Sequence, residues 1–266
     1  MELFAACLDA LKEPDPAQKC ARAQSLHQAW LAGDVEIDET APVLPIPAPG
    51  RPEKPLLVLP QQVPRRRISS AAGRAALLHA IAHIEFNAIN LALDAAYRFR
   101  NMPRDFYGDW LQVASEEALH FSLLAGHLQN QGHAYGDFPA HNGLWEMAVK
   151  TAHDPLVRMA LVPRVLEARG LDATPAIVDK FKSVQDERAV EILAVIERDE
   201  IGHVAIGSRW YLYLCHQRGL APLPMFKALL QEYDAPPLKP PFNMEGRKAG
   251  GFSEEELSWL EAQGVR

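Results

Sequence analysis

Glu200-Ile201-Gly202-His203, near the end of a long helix-patterned run, and Glu117-Ala118-Leu119-His120, upstream of it, decide how this 266-residue chain is read. A Glu and a His three positions apart share one face of a helix, a turn from each other. Two such pairs, with one more Glu from each of two other helices, make the ligand set of a carboxylate-bridged dimetal centre inside a four-helix bundle. With 20 Glu and 10 His in the chain, roughly one Glu-x-x-His pair is expected by chance. The motif alone therefore decides little, and the spacing of its partners decides more.

Glu85 lies midway along a strongly apolar helix and precedes Glu117 by 32 residues. Folded about a turn near Asn101, the two stand at the same height in an antiparallel pair, at roughly 1.5 Å of rise per residue. The second half repeats the arrangement: Glu167 precedes Glu200 by 33 residues, with the midpoint near Ser183. The 50 residues from Glu117 to Glu167 are enough for one long crossover. Glu85, Glu117, His120, Glu167, Glu200 and His203 then converge on one level of an otherwise apolar interior, where isolated charge is costly. A pair of divalent ions makes six such groups tolerable. The alternative is a set of buried ion pairs without metal; its one cation in register is Arg164, three residues before Glu167.

The whole chain bounds this reading. It is 48% apolar and 23% charged, ordinary composition for a folded domain. A net charge of −7 argues against an all-over basic surface for nucleic acid and leaves room for a local basic patch. Met1-Glu2-Leu3-Phe4 lacks the basic start and apolar core of a signal peptide, and no apolar stretch is read as spanning a membrane. Cys7, Cys20 and Cys215 have no CxxC spacing and leave one thiol over, which fits buried thiols in a reducing cytoplasm.

Residues 1–68 read as two short helices followed by an arm with eight prolines between 41 and 64, closed by Arg65-Arg66-Arg67. Residues 69–219 read as the helical body. A helix capped by Ser69 or Ser70 runs to about Arg100 and another from about Asp105 to Gln129. A short one follows around Leu144. Asp154-Pro155 opens the next helix, Pro163 predicts a kink, Gly170 a break, and Thr174-Pro175 a restart. The last long helix spans about Glu187 to Gln217. Residues 220–266 read as a proline-rich extension ending in a short helix capped by Ser253-Glu254-Glu255-Glu256. The class is all-α.

The segments Leu78 to Glu85, Ser115 to Phe121, Val162 to Leu171, Arg198 to Gly207 and Pro241-Phe242-Asn243 resemble an uncharacterised bacterial ferritin-like family, a domain of unknown function numbered four-five-five. More distantly, the pattern is similar to di-iron tRNA hydroxylases and other bacterial di-iron oxygenases. The resemblance implies a ferritin-like four-helix bundle with a long crossover between its second and third helices. The family pattern falls on Glu85, Glu117, His120, Glu167, Glu200 and His203, with no ligand missing. It supplies no substrate, though the distant likeness brings in tRNA as one class.

Other polar residues have plainer readings. His79 and His83 point some 120° and 160° away from the Glu85 face and read as non-ligands. His127 packs near a helix end, Asp94 pairs with Arg98, and Glu197 forms a surface ion pair. Glu116 and Asp199 either accept the second N–H of a ligand imidazole or sit on solvated faces. Tyr97, Tyr107 and Trp110 read as core aromatics, and the arginines at 65 to 67 as an anchor for the arm.

The function expected is that of a di-iron oxidoreductase. Two Fe ions, or Mn in a like site, would be bridged by Glu117 and Glu200 and would activate O2 for oxidation or hydroxylation of an unidentified substrate, served by an electron donor. The alternatives are an iron-handling ferroxidase or sequestration protein, and a non-catalytic helical interaction module with a structural metal site. Oligomeric state leaves no mark in the sequence.

Overall fold

The computed structural model describes residues 1–64 and 67–263. Arg65 and Arg66 of the basic cluster lie outside the described residues. Among those described there is no strand, only isolated bridges at Glu2–Glu36 and Leu57–Ala140. The protein is all-α: α1 (Leu3–Lys12), α2 (Pro16–Ala32), α3 (Ala71–Arg98), α4 (Arg104–Asn130), α5 (Gly143–Lys150), α6 (Pro155–Leu161), a π-helical turn (Val162–Glu167), α7 (Ala168–Ser183), α8 (Glu187–Gln217), α9 (Pro222–Glu232), α10 (Met244–Ala249) and α11 (Glu254–Gln263). The chain divides into two compact units: Met1–Val149 with Phe181–Ile192, and Lys150–Lys180 with Leu193–Arg266.

In the first unit, local chemistry sets each boundary. Asp15 caps α2 by accepting from Gln18 N at 2.9 Å with Pro16 in the first turn, and Gly33 closes it in the left-handed region. Ser70 caps α3 by accepting from Gly73 N at 3.0 Å. α3 and α4 form an antiparallel hairpin; the Phe86 and Phe121 rings lie 5.4 Å apart across it. α1 packs on α3 and α2 on α4. Lys19 ties three helices together: its buried ammonium donates to the carbonyls of Ala10 (3.2 Å) and Leu11 (2.7 Å) in the last turn of α1 and to Asn90 Oδ1 of α3 (2.6 Å). Burial draws its pKa down to about 7, against the opposing pull of the Glu13 carboxylate.

Among its described residues, the proline-rich arm forms no helix or strand beyond one 3-10 turn at Pro60–Gln62. It is pinned at intervals: Gly50 N donates to Leu11 O (2.9 Å), Trp145 Nε1 to Pro47 O (3.0 Å) and Leu44 N to the Tyr97 hydroxyl (2.8 Å). The expectation that no apolar stretch reaches membrane-spanning length needs amendment. α3 is long and apolar enough by composition, and 78% of its apolar window is buried inside the protein, as in a core helix.

In the second unit the prolines behave differently from their sequence reading. Asp154 caps α6 as expected, accepting from Leu156 N at 2.8 Å. The kink expected at Pro163 is a π-helical turn, Val162–Glu167, the wider winding that removes a proline's clash with the preceding turn. The break expected at Gly170 and the restart at Thr174-Pro175 are absent: α7 runs unbroken from Ala168 to Ser183. Thr174 Oγ1 donates to Gly170 O (2.9 Å), and Asn243 Nδ2 donates to Leu171 O (3.4 Å), the carbonyl that Pro175 cannot serve. The C-terminal extension also holds more helix than its prolines suggested. α9 places Pro222 and Pro224 in its first turn, where no N–H is needed. α10 starts from an Asn243 cap.

Gly207 of α8 lets the π turn approach closely: a Cβ there would lie 2.2 Å from Pro163 Cβ. Ala168, Leu171, Val204, Phe252, Leu257 and Leu260 form one apolar cluster that joins α7 and α8 to the C-terminal extension. Two buried ion pairs stitch it: Arg247 to Asp172 (2.6 Å) and Arg164 to Glu256 (2.6 Å). Cys7, Cys20 and Cys215 are all buried free thiols.

Candidate metal centre

The α3–α4 hairpin delivers three of the expected ligands to one point. His120 Nδ1 lies 3.4 Å from Glu85 Oε2 and 3.4 Å from Glu117 Oε2. Glu117 and His120 are fully buried and Glu85 is 4% exposed. One ligand atom from each of the three lies within 4.8 Å of the others. The register argued from the 32-residue spacing is thus the one the hairpin adopts. Burial alone would lower the pKa of His120, but Glu117 and Glu85 outweigh it and push the value up to about 11. In the chain by itself a proton on the imidazole supplies the positive charge that two buried carboxylates require. Two hard oxygen donors and an imidazole nitrogen are also the donor set of a divalent iron or manganese ion. This buried Glu/His group can hold a metal ion.

The second unit presents a matching set. On α8, Glu200 is 8% exposed and His203 fully buried, with His203 Nδ1 3.5 Å from Glu200 Oε1. Glu200 offers a ligand atom of the same kind. Glu167 ends the π turn. Pro163 abuts Gly207, so the π turn packs against α8, and Ala168 and Val204 share one apolar cluster. π-helical turns recur at functional sites because they re-aim a side chain by one residue. Arg164, read from the sequence as a cation in register with Glu167, pairs with Glu256.

The remaining polar residues are accounted for. His79 Nε2 accepts from Gly136 N (2.9 Å), and His83 bonds the Tyr135 hydroxyl (2.9 Å) and His141 O (3.0 Å). Burial lowers the pKa of both to about 4, so they stay neutral and latch the α4–α5 loop to α3. His127 bonds Asp186 near the end of α4 (2.9 Å), and Asp94 takes a bidentate bond from Arg98. Glu116 accepts from Gln112, and Asp199 from Arg198. Tyr107 and Trp110 pack edge-on against Phe106, and Tyr107 donates to Glu39. Glu256 was read only as the end of a capping box. Its contact with Arg164, 92 residues earlier, left no local trace.

Residues 12–258 match the family described as "Protein of unknown function (DUF455)". An "Uncharacterized protein" of Haemophilus influenzae is 50% identical over 263 residues, covering 94% of this chain and 91% of that one. No solved structure matches. By the extent of both matches, the chain belongs to the DUF455 family of proteins of unknown function.

Proposed function

We propose that the protein is a dinuclear-iron oxidoreductase built on a ferritin-like four-helix bundle, in which α3, α4, the α6–α7 stretch and α8 each contribute ligands. The observation that carries this reading is the buried triad on the α3–α4 hairpin, with His120 Nδ1 equidistant from the Glu85 and Glu117 carboxylates. Glu200 joins that triad as the fourth ligand in this proposal. Glu167 and His203 would complete a set of six donors.

When bound, two iron ions would supply O2-dependent oxidation of an organic substrate, with manganese the nearest substitute. The chain's part is to fix and enclose the donors. Glu117, His120 and His203 are shielded from solvent entirely, which keeps bulk water from them. Ala82, Ala88 and Ala92 on α3 are small and buried near the Glu85 face, leaving side-chain volume beside it. The substrate and the electron donor are both separate molecules.

The test loads the metal-free protein anaerobically with Fe(II) and follows O2 uptake at an electrode, with and without candidate substrate pools. Uptake that rises with one pool supports an oxygenase. Uptake of many irons per chain without substrate dependence would move the protein to iron storage. Failure to bind Fe(II) at all would leave a helical interaction module.

A further inference from the structure

The buried guanidinium of Arg164 is an expensive feature in search of a purpose. It is fully buried, and among the described residues its hydrogen-bonding partner is Glu256, from Nη2 to Oε1 at 2.6 Å. Around it stand the rings of Tyr211, Phe226 and Phe252, with centroids 4.7, 5.0 and 4.5 Å from Cζ. Nε and Nη1 make no hydrogen bond within the described residues. A buried ion pair of this kind seldom adds net stability over an apolar replacement; its better-attested use is to specify one arrangement among several. The two oxygens of Glu256 divide the work. Oε1 holds Arg164, while Oε2 accepts from Ser253 N (2.8 Å) and so caps α11.

Arg164 sits within the π turn that ends at Glu167, and a residue earlier Pro163 presses on Gly207 of α8. The turn is thus held on one side by α8 and gripped on another by α11. We propose that the Arg164–Glu256 pair is a positioning device: the C-terminal extension sets the winding of the π turn and with it the placement of the Glu167 carboxylate as a metal ligand. Both residues act through Glu167 and neither is a ligand. This inference rests on the dinuclear reading above. Outer-shell partners of metal ligands, when removed, cost roughly 10–100-fold in metal affinity.

The experiment compares Fe(II) affinity, by anaerobic titration of full-length protein, for wild type, Glu256→Gln and Ser253→Ala. Glu256→Gln keeps a side-chain oxygen for the cap and removes the charge; Ser253→Ala weakens the cap and keeps the pair. Amide exchange over residues 162–167 in the metal-free proteins gives a second readout. The expected result is roughly 10–100-fold weaker binding of one of two ions, with faster exchange in the turn, for Glu256→Gln. Ser253→Ala should stay within about twofold of wild type. Equal weakening in both variants would show a general loss of folding and overturn the proposal, as would wild-type affinity in Glu256→Gln. A wild type that binds no Fe(II) would overturn the dinuclear reading itself, and this inference with it.

Discussion

Two glycines on α8 give one substitution opposite signs. At Gly202, between the proposed ligands Glu200 and His203, a Cβ would meet nothing within 4 Å. Replacing it with alanine removes the conformational freedom of a helical glycine and should stabilise by about 0.8 kcal/mol. At Gly207 a Cβ would come within 2.2 and 2.3 Å of Pro163 Cβ and Cγ. Ordinary contact begins near 3.4 Å, so the π turn or α8 must retreat by about 1 Å. The proline ring has no rotamer that relieves this. Overpacking of this severity costs about 3 kcal/mol, and the helical gain of about 0.8 kcal/mol offsets part of it. The net is about 2 kcal/mol of destabilisation, or a melting-temperature drop of roughly 4–8 °C for a chain of this size. Gly207→Ala should also move Glu167 relative to His203 and weaken metal binding, since outer-shell changes act through ligand placement. Thermal melts of metal-free Gly202→Ala and Gly207→Ala by circular dichroism provide the assay. Melting temperatures that move in the same direction would refute the packing argument for the π turn.

Further outcomes follow from the first unit. Lys19→Met strands two helix-end carbonyls and Asn90 Oδ1, and urea unfolding should show a loss of about 2–4 kcal/mol; a change below about 0.5 kcal/mol would show the ammonium to be dispensable. His79 and His83 have pKa values lowered from 6.5 to about 4, so the unfolded chain takes up protons first as pH falls. Their contribution is complete above pH 6.5 and is lost on the way down to about pH 4, on the order of 2 kcal/mol per imidazole. The His79→Gln/His83→Gln double variant should therefore have a flatter stability profile between pH 6.5 and 5 than wild type, measured by urea midpoints. A wild-type profile already flat there would show that the loop latch does not depend on neutral imidazoles.

Helix ends and hairpin register were legible because they are written in local chemistry. Ser70, Asp15-Pro16 and Asp154-Pro155 cap the helices that they announced. The equal arms about Asn101 set Glu85 beside His120, because helical rise is fixed and one short turn separates α3 from α4. What stayed hidden depends on partners distant in sequence. Pro175 sits within a continuous α7 because Asn243, far along the chain, donates to the carbonyl it leaves open. Pro222 and Pro224 start a helix rather than prevent one, since proline's cost depends on position within the first turn. Arg164, read as a cation in register with Glu167, answers instead to Glu256.

The most direct test of a dinuclear centre is metal content per chain, by elemental analysis of protein from iron-replete cells. Wild type and Glu117→Ala/His203→Ala would be measured alongside circular dichroism to show that both fold. A six-donor site predicts about two ions per wild-type chain and close to none in the folded variant. No metal in the wild type, even after anaerobic loading with Fe(II), would contradict it.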